Sequence, residues 1–336
     1  MLEPLKDKEG KEIQGSLTEK NKIEIGGIQQ GFFIRAEDPK NPVILFLHGG
    51  PGTPVLPFIT SFESPERLEK YFTVCYWDQR GAGMSFSRSI DPATITAKQM
   101  VEDTRQITEY LQQRFNQEKI YLMGHSWGSY LGIKTVEKYP QNYLAFIGIG
   151  QVVCDMESEK LAYDYMMQHA IKINDQSAVK GLKKFDKNSP DFPQLNYAMT
   201  IRTRLMNKYG IGLMRKNIST VGLVKKLLFF KGYTLSEKIN YPKGSLFSLK
   251  RLWVKEIVRD NLLESSTTFK VPIYITHGKY DYQTSFVLAR EYLDKIEAPQ
   301  KAFFTFENSA HSPNMEEGEK FVQTICDIAS KTKNST

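Results

Sequence analysis

Gly124-His125-Ser126-Trp127-Gly128 constrains this chain more than any other stretch. An apolar β-type run, Lys119-Ile120-Tyr121-Leu122-Met123, leads into it, and a helical period starting at Tyr130 and Leu131 leads out towards Pro140. Strand, sharp turn and helix, with serine at the apex and glycine two residues to either side, form the pattern of a nucleophile elbow. Such a turn forces strained backbone angles on Ser126, and the flanking glycines let the strand and helix approach each other. The five-residue motif alone recurs by chance; its context is what makes it informative.

The rest of the chain supplies a sheet for that elbow. Two strands, around 22–25 and 30–35, are joined by the hairpin signal Gly26-Gly27. Continuous apolar runs follow at 42–47, 72–77 and 143–149, the mark of strands buried on both faces. A helix over 96–115 carries Met100, Ile107, Leu111 and Phe115 at helical spacing. From Gln151 to Asp260 only helical periods appear, and strands resume at 271–276 and 302–306, with helices near 285–297 and 315–331. Strands alternating with helices predict an α/β fold, a mostly parallel, doubly wound sheet of eight strands. Residues 1–150 and 261–336 then form the core, and 151–260 a helical cap inserted after the sixth strand. A cap there covers the strand C-terminal ends, where open α/β sheets bind ligands; an independent helical domain is the alternative.

A serine hydroxyl needs a base to take its proton and an acid to orient that base. Asp281 lies in the loop after the strand at 271–276, and His311 in the loop after 302–306. Ser126, Asp281 and His311 therefore occur in the chain order nucleophile, acid, base. Asp155, in the loop after the sixth strand, is the alternative acid. Of the other four histidines, His48 and His125 lie in motif turns and read as structural, and His169 and His277 read as packing or polar-surface residues.

Three motifs, His48-Gly49-Gly50-Pro51-Gly52, Asp78-Gln79-Arg80-Gly81-Ala82-Gly83-Met84-Ser85 and Gly124-His125-Ser126-Trp127-Gly128-Ser129, together resemble the prolyl iminopeptidases and their relatives in the α/β-hydrolase superfamily. The resemblance covers residues 30–150 and 265–330. It implies that Ser126 is the nucleophile, Asp281 the acid and His311 the base, with an oxyanion hole from the backbone N–H groups of Gly50 and Trp127. Asp78 and Arg80 are expected to brace the loops through a buried ion pair. No metal or cofactor is implied.

The cap departs from that family. Iminopeptidases commonly hold the substrate amine with a cap carboxylate in a Trp-Glu pair, whereas Trp253 here precedes Val254. Residues 151–260 carry 20 Lys plus Arg and 10 Asp plus Glu, a balance of +10 in a chain of +7, leaving −3 elsewhere. Glu157 and Glu159, just past the sixth strand, are the candidate amine-binding acids, with Asp155 beside them. The expected activity is a serine hydrolase forming an acyl-enzyme, acting as an aminopeptidase on short peptides or other small molecules. A carboxylesterase or lipase-like hydrolase is the alternative, and a non-catalytic binding protein a further one.

A pI near 9.0 without helix-turn-helix or single-strand signatures gives no reason to expect a nucleic-acid partner. A basic cap containing Leu227-Leu228-Phe229-Phe230 does suit contact with an anionic membrane surface. Three scattered cysteines make neither a disulfide framework nor a zinc site. With no signal-type or membrane-spanning apolar run, the cytoplasm is the expected location.

Overall fold

A computed structural model describes residues 2–59, 66–216, 219–253 and 256–333. Gly26 and Gly27, both at positive φ, turn β1 (Leu17–Ile25) back onto β2 (Ile28–Ala36). Six further strands complete the sheet: β3 (Val43–Leu47), β4 (Thr73–Trp77), β5 (Ile120–His125), β6 (Tyr143–Ile149), β7 (Ile273–Gly278) and β8 (Lys301–Phe306). Their order is β1-β2-β4-β3-β5-β6-β7-β8. The pairs involving β2 are antiparallel and those from β4 through β8 are parallel. β1 reaches well beyond the segment predicted for it, because its residues largely alternate between half-buried and exposed rather than forming an apolar run.

Strand pleating divides the interior in two. Leu45, Leu47 and Leu122 point into one core with the helices Ala97–Phe115 and Trp127–Lys138. Ile44, Phe46, Tyr121 and Met123 point into the other with the helix Gly318–Lys333. Period-two alternation on strands buried on both faces is why these runs are apolar throughout.

Between β6 and β7 the described residues form helices joined by turns and no strand, with only the isolated bridges Cys154–Asn261 and Thr268–Glu297. The first part of this insertion has its own core, in which Tyr163, Met166, Phe192, Tyr197 and Leu205 pack together. The later part does not stand alone. Phe230, Tyr233 and Tyr241 join one core of the sheet, while Leu252 and Ile257 join the other. Burying these side chains, at roughly 1.5–3 kcal/mol each for the larger apolar ones, holds the insertion against the sheet. Among the described residues no helix is long and apolar enough to cross a membrane.

Candidate active site

Ser126 sits between β5 and the helix Trp127–Lys138 with φ 56 and ψ −122, an uncommon conformation for a residue with a side chain. Its N–H donates to the carbonyl of Ile149 at 2.9 Å, and its carbonyl accepts from Ser129 N–H at 2.7 Å. The elbow is tight enough that a Cβ on Gly124 would run into the carbonyl of Gly128, and one on Gly128 into that of Leu47. Glycine is required at both positions by this close approach.

The loop after β3 lies directly over the elbow. A Cβ on Gly49 would stand 3.0 Å from the Cβ of Ser126, and Gly50, at φ 116, lines one cavity with Ser126 and Trp127. His48 pins this loop: its Nε2 accepts from Gln79 N–H at 3.2 Å, so the proton on Nδ1 donates to the Gly49 carbonyl at 2.9 Å. Burial pushes the His48 imidazole down to about 4, so it remains neutral in this role. Gln79 completes the brace, donating to the His48 carbonyl at 3.0 Å and accepting from the Trp127 indole at 2.8 Å. Asp78 and Arg80 do not pair with each other. Arg80 meets Asp103 through Nε at 2.6 Å and Nη2 at 3.0 Å, whereas Asp78 accepts from Met84 N–H at 2.8 Å and the Tyr233 hydroxyl at 2.7 Å. The guanidinium finds its carboxylate on the helix Ala97–Phe115, which the chain order around residue 80 gives no means of anticipating.

His311 and Asp281 are brought together by the loops after β8 and β7. The Nδ1–H of His311 donates to Oδ2 of Asp281 at 2.8 Å, and both side chains are fully buried. Nε2 of His311 is buried and has no hydrogen-bond partner among the described residues. The imidazole lies against the end of β6, where a Cβ on Gly150 would stand 2.8 Å from its Nδ1. Ser126 is tied to the same strand end through Ile149. A further tether runs from His125, whose Nε2–H donates to the His311 carbonyl at 3.0 Å. Burial, reinforced by repulsion from His311, pushes His125 down to about 3 and keeps it neutral.

Asp281 is surrounded by donors. Its Oδ1 accepts from the N–H groups of Gln283 and Thr284 at 2.8 and 2.9 Å; its Oδ2 accepts from the Thr284 hydroxyl at 2.9 Å and stands 3.1 Å from Nε2 of His277. Burial opposes ionisation here, but the electrostatic pull of the His311 and His277 rings and the hydrogen bonds from them outweigh it and hold the carboxyl well below the usual range.

The cavity over Ser126 has a volume of about 160 Å³. Its lining includes Asp155, Met199, Arg202, Trp253, Ile257 and Thr284. Of the acids predicted near the site, Glu157 is exposed, pairs with Lys160 at 2.7 Å and does not line the cavity. Glu159 is buried and is taken up by Arg202 at 2.5 Å. The acid that reaches the cavity is Asp155, two residues before Glu157 on the helix Asp155–Lys172, and neighbouring positions on a helix face different ways. Asp155 accepts from the Trp253 indole at 2.5 Å and has no ion pair among the described residues. Burial and then the nearby Glu159 push it up to about 7, against the pull of Arg202 and the indole. Val254 lies outside the described residues. Sequence reasoning gave no role to Thr284 or Arg202 and read His277 as a packing or polar-surface residue; Gln79, His48 and His125 sat in motifs that pointed to the site.

Among the described residues no three His, Cys, Asp or Glu side chains are grouped to hold a metal ion. The three cysteines are free thiols.

Comparison with known proteins agrees with this architecture. A family model for the alpha/beta hydrolase fold matches residues 42–318. The Bacillus subtilis protein named probable aminopeptidase YbaC is 34% identical over 309 residues, spanning 90% of this chain and 93% of its own length. A proline iminopeptidase of Lactobacillus acidophilus is 24% identical over 85% of this chain and 89% of its own. The crystal structure of a proline iminopeptidase from Mycobacterium smegmatis superimposes with a TM-score of 0.67 over 94% of this chain and 99% of that one, at 14% identity, a likeness of fold. The eight-stranded sheet, the elbow at Ser126 and these matches lead to one conclusion: the chain belongs to the α/β-hydrolase family and resembles the prolyl iminopeptidases within it.

Proposed function

We propose that the protein is a serine aminopeptidase that removes a small N-terminal residue from short peptides, with Ser126, His311 and Asp281 as its triad and residues 151–260 as the lid over them. Ser126 Oγ attacks the carbonyl carbon next to the substrate amine while His311 Nε2 takes the hydroxyl proton. The carbonyl oxygen, now negative, is held by the backbone N–H groups of Gly50 and Trp127. As the C–N bond breaks, His311 returns the proton to the departing amine, and water then hydrolyses the acyl-enzyme by the same proton relay. Asp281 stays ionised throughout and holds the imidazole in the tautomer that leaves Nε2 free.

The observation that carries the aminopeptidase reading is Asp155. A carboxyl group, buried in the cavity of Ser126 and without an ion pair among the described residues, is a site for the substrate's ammonium. Two further facts support it. A cavity of about 160 Å³ is comparable to the roughly 150 Å³ that takes one benzene ring, which suits a single proline-sized residue. The most similar of the relatives described above is named as an aminopeptidase. Apolar lining from Met199, Leu249, Trp253 and Ile257 favours an esterase as the second reading.

Hydrolysis of a proline arylamide beside its N-acetyl form, and of short-chain nitrophenyl esters, separates the two. Cleavage of the free amine, lost on acetylation, is the expected result. Equal cleavage of free and blocked substrates would mean an esterase.

A further inference from the structure

The helix Thr220–Phe229 turns an apolar face outward. Val221, Val224 and Leu228 follow one another at helical spacing and are all exposed, and Phe229 at the helix end is 78% exposed. Partly buried Leu227 packs inward on the core of the sheet, so the helix is anchored while its outer ridge remains uncovered. The next helix, Leu235–Ser248, adds exposed Leu235 and Ile239, and Lys238 ties the two together by donating to the Leu228 carbonyl at 2.7 Å. An apolar ridge of this kind is not an ordinary solvated helix face.

Its electrostatic setting names the partner. From residue 192 to residue 236 the chain contains no Asp or Glu, and it carries eight Lys or Arg. Phe229 also lines a groove of about 1120 Å³. Lys6, Lys8, Arg67 and Lys70 line that groove from the N-terminal part of the chain, and Lys225 and Lys231 from the insertion. Among the described residues, eight basic side chains line it against four acidic ones, a positive excess. Exposed apolar side chains beside a cationic groove match the two components of peripheral membrane binding, insertion at the acyl boundary and attraction to anionic headgroups. A second copy of the chain would place the same cationic groove near its own image, which like charges disfavour.

We propose that the ridge Val221–Val224–Leu228–Phe229 and the adjoining lysine groove dock the enzyme on anionic bilayers. Docking is independent of the hydrolytic chemistry, because none of these residues lines the cavity over Ser126.

Co-sedimentation of the full chain with vesicles of phosphatidylcholine alone, and of phosphatidylcholine and phosphatidylglycerol in equal parts, tests this directly. Binding is expected only to the mixed vesicles and should weaken as salt is raised. Lys225→Gln and Lys8→Gln should each weaken it by about fivefold, and Phe229→Ser by roughly tenfold. All three variants should hydrolyse a small soluble substrate at the wild-type rate, which also establishes that they are folded. Three results would overturn the proposal: no binding, equal binding to both vesicle types, or lipid binding untouched by Phe229→Ser. A wild-type dimer in light scattering that Phe229→Ser dissociates would likewise overturn it, reassigning the ridge to an interface between copies.

Discussion

His277 Nε2 lies 3.1 Å from Oδ2 of Asp281, on the carboxylate oxygen that also accepts from His311. Nδ1 of His277 accepts the N–H of Gln151 at 3.2 Å, which leaves the proton on Nε2, where it is shared between Asp281 and the Thr284 carbonyl at 2.9 Å. A second imidazole thus braces the acid of the proposed triad from behind. His277 does not itself line the cavity, so His277→Leu removes its bond to Asp281, and those to Gln151 and Thr284, while leaving every lining side chain in place. Loss of one hydrogen bond to a charged group, about 1.5–3 kcal/mol, should lower kcat by roughly 10–100-fold with KM nearly unchanged. A rise in KM alone, or wild-type kcat in a folded variant, would show that His277 only packs.

Ser126→Ala should lose labelling by a fluorophosphonate probe and roughly 10³-fold or more in rate. His311→Ala should fall similarly, and because the three groups act as a unit, the double variant should be little worse than either single one. Labelling at another serine would remove the elbow from the mechanism.

Asp155 should govern recognition of the free amine. Ionisation through about 7 creates the charge that an ammonium needs, so KM for a proline arylamide should fall as pH rises through that value. In Asp155→Asn the fall should vanish and KM rise by roughly 10²-fold or more, with ester hydrolysis little affected. An unchanged KM for the amine substrate would exclude Asp155 from binding it.

The same carboxyl group should leave a mark on stability. Its proton is held more tightly in the folded chain, at about 7, than at the ordinary 3.8. The folded state therefore binds more protons than the unfolded state between those values, and stability falls as pH rises through this window. The contribution is fully present below 3.8 and gone above about 7. Asp155→Asn should accordingly melt higher than wild type at pH 8 and with it near pH 4, by a few kcal/mol at most at the alkaline end. A variant less stable than wild type at pH 8 would contradict the burial of an unpaired acid.

Arg80 and Asp103 predict a loss of a different kind. Both side chains are essentially buried, and Asp103→Ala leaves the guanidinium without its carboxylate. About 3–5 kcal/mol of stability should go, read from denaturant unfolding, while the folded fraction keeps its KM. Neither side chain lines the cavity over Ser126.

Much of this molecule was legible in one dimension because its signals are local. Apolar runs such as 43–47 and 143–149, too short for a typical helix and rich in β-type residues, read as strands buried on both faces, and the helical insertion is visible as a break in their alternation. The elbow is equally local: the strained turn at Ser126 and the approach of Gly128 to Leu47 need glycines at fixed offsets. Asp281 and His311 could be picked out because each occupies the first loop past a strand end. What the tertiary structure alone decided are the pairings between distant segments. Arg80 finds Asp103 rather than Asp78, Trp253 reaches back to Asp155, and Arg202 captures Glu159. Each joins residues at least 23 positions apart in the chain, and composition carries no information about which cation meets which acid. The choice among Asp155, Glu157 and Glu159 turned on helix phase and on which acids other side chains had already neutralised. Those are properties of packing, settled only when the insertion closes over the sheet.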